Sequence, residues 1–341
     1  MSGPESSLRG ADVTVVVVTW EQRDLTRRCL ASLQRQTVAH DVLVVDNDSH
    51  DGTGEMIDRE FPSTRVLTLS TNTGFAGGVN AALSQVSTRF VALLNNDAEA
   101  EPSWLERSVA DLADATVAAV SAKMLLAGRE PESGPGVLNN AGVVLLRSGY
   151  GADRGLGQPD DGGFDEPAEV FGFSGGAAVL RTLAVKAVGG IDDSYFMYYE
   201  DTDLSWRLRL AGWSIRYRPD AVVHHRHAAS SDVSSEMFAF HNERNRLLTL
   251  LSNAPAGFAV TCLLRFGVTT ASLAVTRGLG RSVEDHPVFR TGLRMRVLGS
   301  VMQRLPSVLA RRRSAPTARS RSAVLSDWRG VPERAIGRAA R

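Results

Sequence analysis

The sequence predicts an α/β fold in which a mostly parallel central sheet carries helices on both faces. The run at 13–19 contains only valine and threonine, and such a β-branched run is typical of a strand buried on both faces. Short apolar runs recur at 42–45, 66–69 and 90–94, and helical patterns lie between several of them. Strands and helices that alternate in this way are joined by right-handed crossovers, which build parallel sheets.

The composition excludes several other classes of protein. The chain has 341 residues, 43% of them apolar, which is too apolar for a wholly disordered protein. Cys29 and Cys262 are its only cysteines, so a disulfide framework and a four-thiolate zinc site are excluded. Residues 1–11 are expected to be a flexible tail without the apolar run of a secretory signal, which predicts synthesis in the cytoplasm.

The C-terminal part is basic and helical in pattern. Residues 276–341 contain 15 arginines and four acidic residues, whereas the whole chain has no net charge. The stretch 256–275 is long enough to cross a bilayer, but Arg265 lies near its middle, where a charge costs about 2.5–3.5 kcal/mol on insertion scales. We therefore expect a helix that lies on a membrane or packs on the domain, with one apolar face made by Val260, Leu263, Leu264, Ala271 and Val275.

This pattern predicts four segments: the tail 1–11, an α/β domain over 12–231, an amphipathic helical region over 232–310, and a disordered Arg-rich tail over 311–341. Basic amphipathic helices favour anionic lipid surfaces, so we expect a peripheral protein on the inner face of the cell membrane. Nucleic acid is a disfavoured partner, because no aromatic stacking platform or recognition helix accompanies the arginines. The sequence does not indicate an oligomeric state.

Polar residues follow the predicted strands, where ligands of an α/β sheet gather. Asp46 ends the second strand, and a desolvated carboxylate there needs a donor such as a nucleobase N–H or a ribose hydroxyl. The alternative is that Asp46 and Asp48 cap the next helix. The glycine-rich turn at 72–80 can bring backbone amides to a phosphate, although a tight turn with close helix packing needs the same glycines.

Two acidic motifs suggest metal binding and proton transfer. Asp97 and Glu99 follow the fourth strand and offer the carboxylate oxygens that Mg²⁺ and Mn²⁺ prefer. The alternative is that these acids only stabilise the positive N-terminal end of the helix that follows. Glu200, Asp201 and Asp203 follow a cluster of aromatic residues. Three acids within four residues repel one another, and this favours a role with cations or in proton transfer over a structural cluster.

Two adjacent histidines, His224 and His225, follow a short strand-like run. Neighbouring residues of a strand point in opposite directions, so only one of the two imidazoles can enter a given site. One of them can ligate a metal beside the acidic residues, and a surface or hydrogen-bonded histidine is the alternative.

Taken together, five ordered motifs resemble inverting family 2 glycosyltransferases with the GT-A fold, a Rossmann-like α/β fold. The motifs are VVVVTW at 15–20, VVDNDSHDGT at 44–53, NTGFAGGVNAAL at 72–83, LLNNDAE at 93–99 and GGIDDSYFMYYEDTDLSWRLRLAGW at 189–213. The chain is most similar to bacterial rhamnosyltransferase-like members that build cell-wall or surface polysaccharide, which also carry an ERNRL-type segment, here at 243–247.

The resemblance implies a nucleotide-diphosphate sugar donor, a Mg²⁺ or Mn²⁺ cofactor and a lipid-linked or glycan acceptor. Its nucleotide-side positions fall on Thr19, Asp46, Asn72, Gly74 and Asn95. The metal-motif acid falls on Asp97, with Glu99 beside it and His224 or His225 as the metal-side histidine. The acidic pair falls on Glu200-Asp201, and its second member is the general base.

The chain departs from the family pattern at two positions. Glu21 stands where many relatives have Asn, and Asn95 replaces the first Asp of the metal motif. The QxxRW signature of processive synthases is absent, which favours transfer of one sugar or few. Two alternatives stay open from the residues alone: a sugar-nucleotide nucleotidyltransferase, which should carry a basic glycine-rich loop near the first strand, and a non-catalytic sugar- or partner-binding module.

Overall fold

The computed structural model describes residues 12–128, 135–226 and 234–331. The strands are β1 (Val13–Thr19), β2 (Asp41–Asp46), β3 (Arg65–Thr68), β4 (Phe90–Leu94), β5 (Ala98–Ala100), β6 (Val117–Leu126), β7 (Leu138–Asn140), β8 (Val143–Leu146), β9 (Gly151–Asp153), β10 (Ala168–Glu169), β11 (Ala177–Arg181), β12 (Ser214–His225) and β13 (Arg329–Val331). The helices are α1 (Arg23–Leu33), α2 (Thr53–Glu60), α3 (Gly74–Gln85), α4 (Trp104–Asp111), α5 (Thr182–Ala187), α6 (Glu200–Leu210), α7 (Glu236–Asn253), α8 (Ala256–Gly278), α9 (Thr291–Ser314) and α10 (Arg321–Trp328).

The central sheet is mixed and has a parallel half. Its strand order is β10-β12-β6-β11-β4-β1-β2-β3, with β5 paired to β12 and β7 paired to β6. The four strands β3, β2, β1 and β4 run parallel to one another, and β12 is parallel to β6. Strand β11 lies antiparallel between β4 and β6. The predicted α/β fold with a mostly parallel sheet is confirmed.

Helices cover both faces of this sheet, as predicted. Strand β1 is buried throughout, and its valines alternate between two apolar clusters. Val13, Val15 and Val17 belong to the cluster that contains residues of α1, α2 and α4. Val16 and Val18 belong to the cluster that contains residues of α3, α5 and α6. The valine run therefore has the two-sided burial expected of an inner strand.

The capping alternative for the acids after β2 is wrong. Helix α2 begins at Thr53 with Gly52 at the N-cap, so Asp46 and Asp48 lie too far upstream to cap it. Ser49 N donates to Asp46 Oδ1 at 3.1 Å, which makes the carboxylate part of the turn that follows the strand. Asp46 and Thr19 are register partners in β2 and β1, so both lie at the carboxyl edge of the sheet.

The C-terminal helices share the apolar cluster of α3, α5 and α6. Each of the helices α7, α8, α9 and α10 contributes buried apolar residues to this cluster, among them Leu248, Cys262, Val301 and Val324. The expected boundary at 231/232 and the expected tail 1–11 lie outside the described residues.

The predicted disorder of 311–341 is wrong for residues 311–331. Helix α9 continues to Ser314, α10 follows it, and β13 pairs with β8 in a second, three-stranded sheet. The Trp328 ring centroid lies 6.3 Å from that of Phe171, and the Arg209 guanidinium lies 4.2 Å from the centroid of the Trp328 ring. These long-range contacts supply the burial that the local Arg-rich composition does not indicate.

Helix α8 packs through a face that the sequence pattern does not single out. The buried residues of α8 are Ala259, Cys262, Phe266 and Thr270. The predicted apolar face is largely exposed, with Leu264 63% exposed. Within the described ranges, α8 alone has the length and mean hydropathy, 1.6 over its most apolar window, of a membrane-crossing helix.

Candidate active site

The carboxyl edge of β1 and β2 brings the predicted nucleotide-side residues together. The hydroxyl of Thr19 lies 2.8 Å from that of Thr26 and accepts from Asn96 Nδ2 at 3.3 Å. Asp46, which is 5% exposed, lies beside Thr19 in the neighbouring strand. The parallel register places both side chains at one edge because both strands end there, as the sequence predicts.

Asn47, which sequence reasoning missed, ties this edge to the glycine-rich turn. Its Nδ2 donates to Gly74 O at 3.0 Å, and its Oδ1 accepts from Thr73 N at 3.2 Å. Asn72 Oδ1 accepts from Gly74 N at 2.8 Å, so the first amide of α3 already has a partner within the protein. Asn72 and Gly74 therefore shape this part of the site through their own turn.

Close packing explains Gly74. Its φ is 73°, and a Cβ atom at this position would lie 2.2 Å from the carbonyl oxygen of Phe196, which itself accepts from Ala76 N at 3.0 Å. Any side chain would push α3 away from the segment that precedes Glu200. The packing alternative for this glycine is thus supported, and it places the turn against the acidic motif.

Asp97 and His225 meet at the end of β4. Asp97 is 5% exposed, and its Oδ1 lies 3.0 Å from His225 Nε2. His225 Nδ1 lies 2.8 Å from Asn139 Oδ1, which can only accept, so the Nδ1–H donates and the Nε2 lone pair faces the carboxylate. Asn95 Nδ2 also reaches Nε2, at 3.3 Å. Two acceptor atoms this close need a cation or a proton between them.

The structure does not bring His224 to Asp97. Strand β12 pairs with β5 so that His224 lies opposite Glu99 and His225 lies opposite Ala98. His224 Nε2 lies 3.2 Å from Glu101 Oε1, on the face away from His225. The two imidazoles therefore lie on opposite faces of β12, as adjacent strand residues should, and His225 is the one that meets Asp97. Within the described ranges, no group of three or more His, Cys, Asp or Glu side chains is placed to hold a metal ion.

Asp201 reaches the same edge through the segment before β11. Its Oδ2 accepts from Gly175 N at 2.9 Å. The carbonyl oxygen of the following residue, Gly176, accepts from Asn95 N at 2.9 Å. Asn95 in turn contacts His225, which faces Asp97. Asp97 and Asp201, more than a hundred residues apart in sequence, are thus connected through Gly175, Gly176, Asn95 and His225 by hydrogen bonds and the short stretch of backbone between the two glycines.

The three acids of the α6 motif have different surroundings. Burial raises the pKa of Glu200 well above its usual value, and the charge of Asp201 adds to this. Burial also raises the pKa of Asp201, while hydrogen bonds from Gly175 and Thr202 oppose the effect. Asp203 instead accepts from Arg207 Nε and from Asn253 Nδ2, at 2.8 and 2.7 Å. Burial therefore favours the neutral form of Glu200 most strongly, the backbone amides of Gly175 and Thr202 favour the charged form of Asp201, and Asp203 is held by Arg207 and Asn253.

Asp153 in β9 is a site acid that sequence reasoning missed. Its pKa is raised to about 6, first by burial and then by the charge of Asp201, while the hydrogen bond from Asn140 and the charge of His225 oppose the rise. Asn140 Nδ2 donates to Asp153 Oδ1 at 2.6 Å. No local motif marks Asp153, because a three-residue strand between glycine-rich turns carries no pattern of its own.

Comparison with known proteins identifies the family. Residues 14–185 match Glycosyl transferase family 2. The N-acetylglucosaminyl-diphospho-decaprenol L-rhamnosyltransferase of Mycobacterium tuberculosis is 31% identical over 250 residues, which are 67% of this chain and 80% of that protein. The pre-mycofactocin glycosyltransferase of the same organism is 31% identical over 229 residues, 66% of this chain and 44% of that protein.

Solved structures agree on the fold. S. aureus TarS superposes with a TM-score of 0.54 at 19% identity, over 87% of this chain and 50% of that one. GalNAc-T7, solved with UDP, GalNAc and Mn²⁺, gives a TM-score of 0.58 at 12% identity, over 88% of this chain and 58% of that one. With the motifs, the sheet and these relatives together, the chain belongs to glycosyltransferase family 2, has the GT-A fold and is a sugar-transferring enzyme rather than a nucleotidyltransferase or a binding module.

Proposed function

We propose that this enzyme transfers a sugar, with inversion, from a nucleotide-diphosphate sugar to a hydroxyl group of a lipid-linked or polysaccharide acceptor in cell-wall or surface glycan synthesis. The observation that carries the proposal is the short hydrogen-bonded connection from Asp97 and His225 to Asp201. A single displacement needs a group that stabilises the leaving diphosphate and a base for the attacking hydroxyl. These residues supply both at one edge of the sheet.

Asp201 acts as the general base. An acceptor hydroxyl loses its proton as it attacks, and a positioned carboxylate that takes this proton is typically worth 10²–10⁴-fold in rate. The raised pKa of Asp201 makes it a stronger base than an exposed aspartate, while its bonds from Gly175 and Thr202 keep it oriented. Burial raises the pKa of the neighbouring Glu200, which favours its neutral form and limits the negative charge of the pair.

The donor set at Asp97 fits a divalent cation. The buried carboxylate of Asp97 is the kind of ligand that Mg²⁺ and Mn²⁺ prefer, and the imidazole of His225, which Asn139 orients, would add a nitrogen ligand. Two protein ligands suit a cation whose other positions are filled by diphosphate oxygens and water. When bound, such a cation offsets the charge that develops on the leaving diphosphate. Glu99 and His224 lie outside this set.

Thr19 and Asp46 bind the base and ribose of the donor nucleotide, and Asn95 lies between them and the acid Asp201. Asn72 and Gly74 hold the neighbouring turn in place, supported by Asn47. The relative named for L-rhamnose transfer to N-acetylglucosaminyl-diphospho-decaprenol supports rhamnose as the sugar and a lipid diphosphate-linked glycan as the acceptor.

The exposed face of α8 is the surface that meets the membrane on its cytoplasmic side. Val260, Leu264, Val268 and Val275 are 48–70% exposed, and Arg265 and Arg277 are exposed on the same helix. An apolar stripe with arginines suits an anionic bilayer. The buried face of α8 rests on the turn before β9, since Cys262 Sγ contacts Ser148 O at 3.6 Å, and Asp153 lies at the end of β9. This contact supports the proposal that a membrane-borne acceptor approaches the site from the side of α8.

A donor screen tests the reaction. Purified enzyme is incubated with a panel of nucleotide-diphosphate sugars and Mg²⁺ or Mn²⁺, and donor hydrolysis, transfer and thermal protection are recorded. We expect one class of donor to be used, and Asp201→Asn to lose turnover by about 10³-fold while it keeps nucleotide binding. The exposed Asp193→Asn serves as the matched control with unchanged turnover. Wild-type turnover in Asp201→Asn would remove the base assignment.

Vesicle flotation tests the membrane surface. Wild-type protein should float with phosphatidylglycerol vesicles at low salt and less at high salt, and Leu264→Glu/Val268→Glu should abolish flotation. The control is Leu183→Glu on α5, because Leu183 is 77% exposed but far from the basic helices in sequence. Equal flotation of both variants would exclude α8 as the contact.

A further inference from the structure

We propose that Asn245 of α7 is a positioning residue that holds the segment Tyr195–Tyr199 in the conformation that presents Asp201 to the acceptor. This inference rests on the proposed role of Asp201 as general base. Asn245 is fully buried, belongs to the ERNRL segment and directs its amide nitrogen at carbonyl groups of this segment. Its action must therefore pass through the segment that it contacts.

The segment that Asn245 contacts has an unfavourable backbone. Phe196, Tyr198 and Tyr199 have φ angles of 65°, 68° and 70°, a left-handed region that residues with a Cβ atom rarely adopt. Three such residues within four positions persist only when the surrounding structure imposes them. Tyr199 is the N-cap of α6, so this backbone sets the direction in which α6 and Asp201 begin.

The side-chain amide of Asn245 makes the contacts that hold this backbone conformation. Its Nδ2 donates to the carbonyl oxygens of Tyr195, Met197 and Tyr198 at 3.0, 2.8 and 2.7 Å. Two amide hydrogens serve three carbonyls, so one hydrogen is shared. Arg244 Nε donates to Asn245 Oδ1 at 2.8 Å and thereby fixes which end of the amide faces the segment. A residue with fewer donors cannot satisfy this set of carbonyls.

The other side of the segment faces the donor half of the site. Phe196 O accepts from Ala76 N, and Gly74 approaches the same carbonyl closely. The segment therefore lies between α7 and the first turn of α3. Loss of the Asn245 amide would release the segment on the side of α7 only. We therefore expect Asp201 to be displaced, while the glycine-rich turn at the start of α3 keeps its own hydrogen bonds.

Thr249, one turn further along α7, offers a matched control. It is buried to the same degree, and its hydroxyl lies 2.8 Å from the hydroxyl of Tyr195, so Thr249→Val removes one buried hydrogen bond without touching any carbonyl of the segment. The test compares Asn245→Ala, Asn245→Ser, which keeps one donor, and Thr249→Val. The readouts are kcat, donor KM, the pH dependence of kcat and hydrogen exchange of the amides over 196–201.

We expect kcat of Asn245→Ala to fall about 100-fold, the cost of a base misplaced by about 1 Å, with donor KM unchanged and Asn245→Ser intermediate. The acidic limb of the kcat profile should move to lower pH, because a loosened segment admits water to Asp201. Exchange over 196–201 should accelerate in Asn245→Ala and not in Thr249→Val.

Three outcomes overturn the inference: equal kcat for folded Asn245→Ala and Thr249→Val, an unchanged exchange rate over 196–201, or failure of both Asn245 variants to fold while Thr249→Val folds. A wild-type enzyme that turns over no nucleotide sugar would instead refute the proposed function. The exchange experiment would still decide whether Asn245 holds the segment.

Discussion

The two halves of the site are held in place by different means. Thr19, Asp46 and Asn95 take their positions from parallel strands that end at one edge of the sheet. The segment Tyr195–Tyr199 takes its position from side chains of α7 that bond to its carbonyls. Strand ends are repeated, local features, whereas a side chain that caps a distant loop leaves no periodic signal.

The C-terminal helices have arginines on both their outer and their inner sides. Their arginines indicate a membrane surface, yet many lie inward. Arg246 bonds Glu243 at 2.7 Å and lies 4.0 Å from the Tyr150 ring centroid, and Arg294 donates to Thr270 and Phe266 O. One helical region thus has an inner side that supports the base and an outer side that stays open. Four predictions test how far the two halves are independent.

The largest effect is expected at the strand-end half. Asp97→Asn should lower turnover on the order of 10³-fold, because the cation site proposed here would supply several kcal/mol of charge stabilisation. His224→Ala is the control and should keep turnover, since His224 faces Glu101 instead. Steady-state rates at saturating donor and metal measure both. Near wild-type turnover in Asp97→Asn would place the cation elsewhere.

The next effect concerns the inner side of α7. Glu243→Gln leaves Arg246 buried without its partner and should lower the free energy of unfolding by about 3–5 kcal/mol. The double variant Glu243→Gln/Arg246→Met should recover part of the loss. Urea unfolding measures this, with Glu236→Gln as control, because Glu236 and its partners Arg290 and Arg296 are exposed and should matter little. A loss as small as that of Glu236→Gln would contradict a structural ion pair.

A smaller effect is expected at Asp153, which links the halves. Its folded pKa of about 6 is above its unfolded value, so the stability it contributes is present at low pH and is lost as pH rises toward 6. Asp153→Asn should therefore be more stable than wild type above pH 6, by on the order of 2 kcal/mol, and equal to it below about pH 4. Unfolding at several pH values measures the difference.

The same variant should move the acidic limb of kcat to lower pH by a fraction of a unit, because it removes a negative charge near Asp201. An unchanged limb would show that Asp153 and Asp201 do not interact in the working enzyme.

The smallest effect is expected at the far end of the chain. Trp328→Ala removes the contact with Arg209 and Phe171 and should lower the free energy of unfolding by on the order of 1 kcal/mol without a change in kcat. Thermal unfolding measures it beside Leu183→Ala, whose side chain is 77% exposed. No loss in Trp328→Ala would mean that the contacts of Trp328 with Arg209 and Phe171 do not stabilise the fold.

Much of the donor half could be predicted from the sequence. The valine run at 13–19 and the acids that follow the strands are local features, and parallel strands place such residues at one edge by geometry. Asn47 and Asp153 could not be predicted, because neither belongs to a periodic pattern and both gain their role from a residue far along the chain. The choice between His224 and His225 likewise depends on the register of β12 against β5.

The sequence by itself determined the fold class, the family and the candidate acids, since these depend on residue type and spacing. Only the tertiary structure decided that Asp203 pairs with Arg207 and Asn253, that residues 311–331 are part of the fold, and that the apolar side of α8 faces outward. The physical reason is that burial and hydrogen bonding depend on which distant surfaces meet. A short sequence window contains no information about its partners.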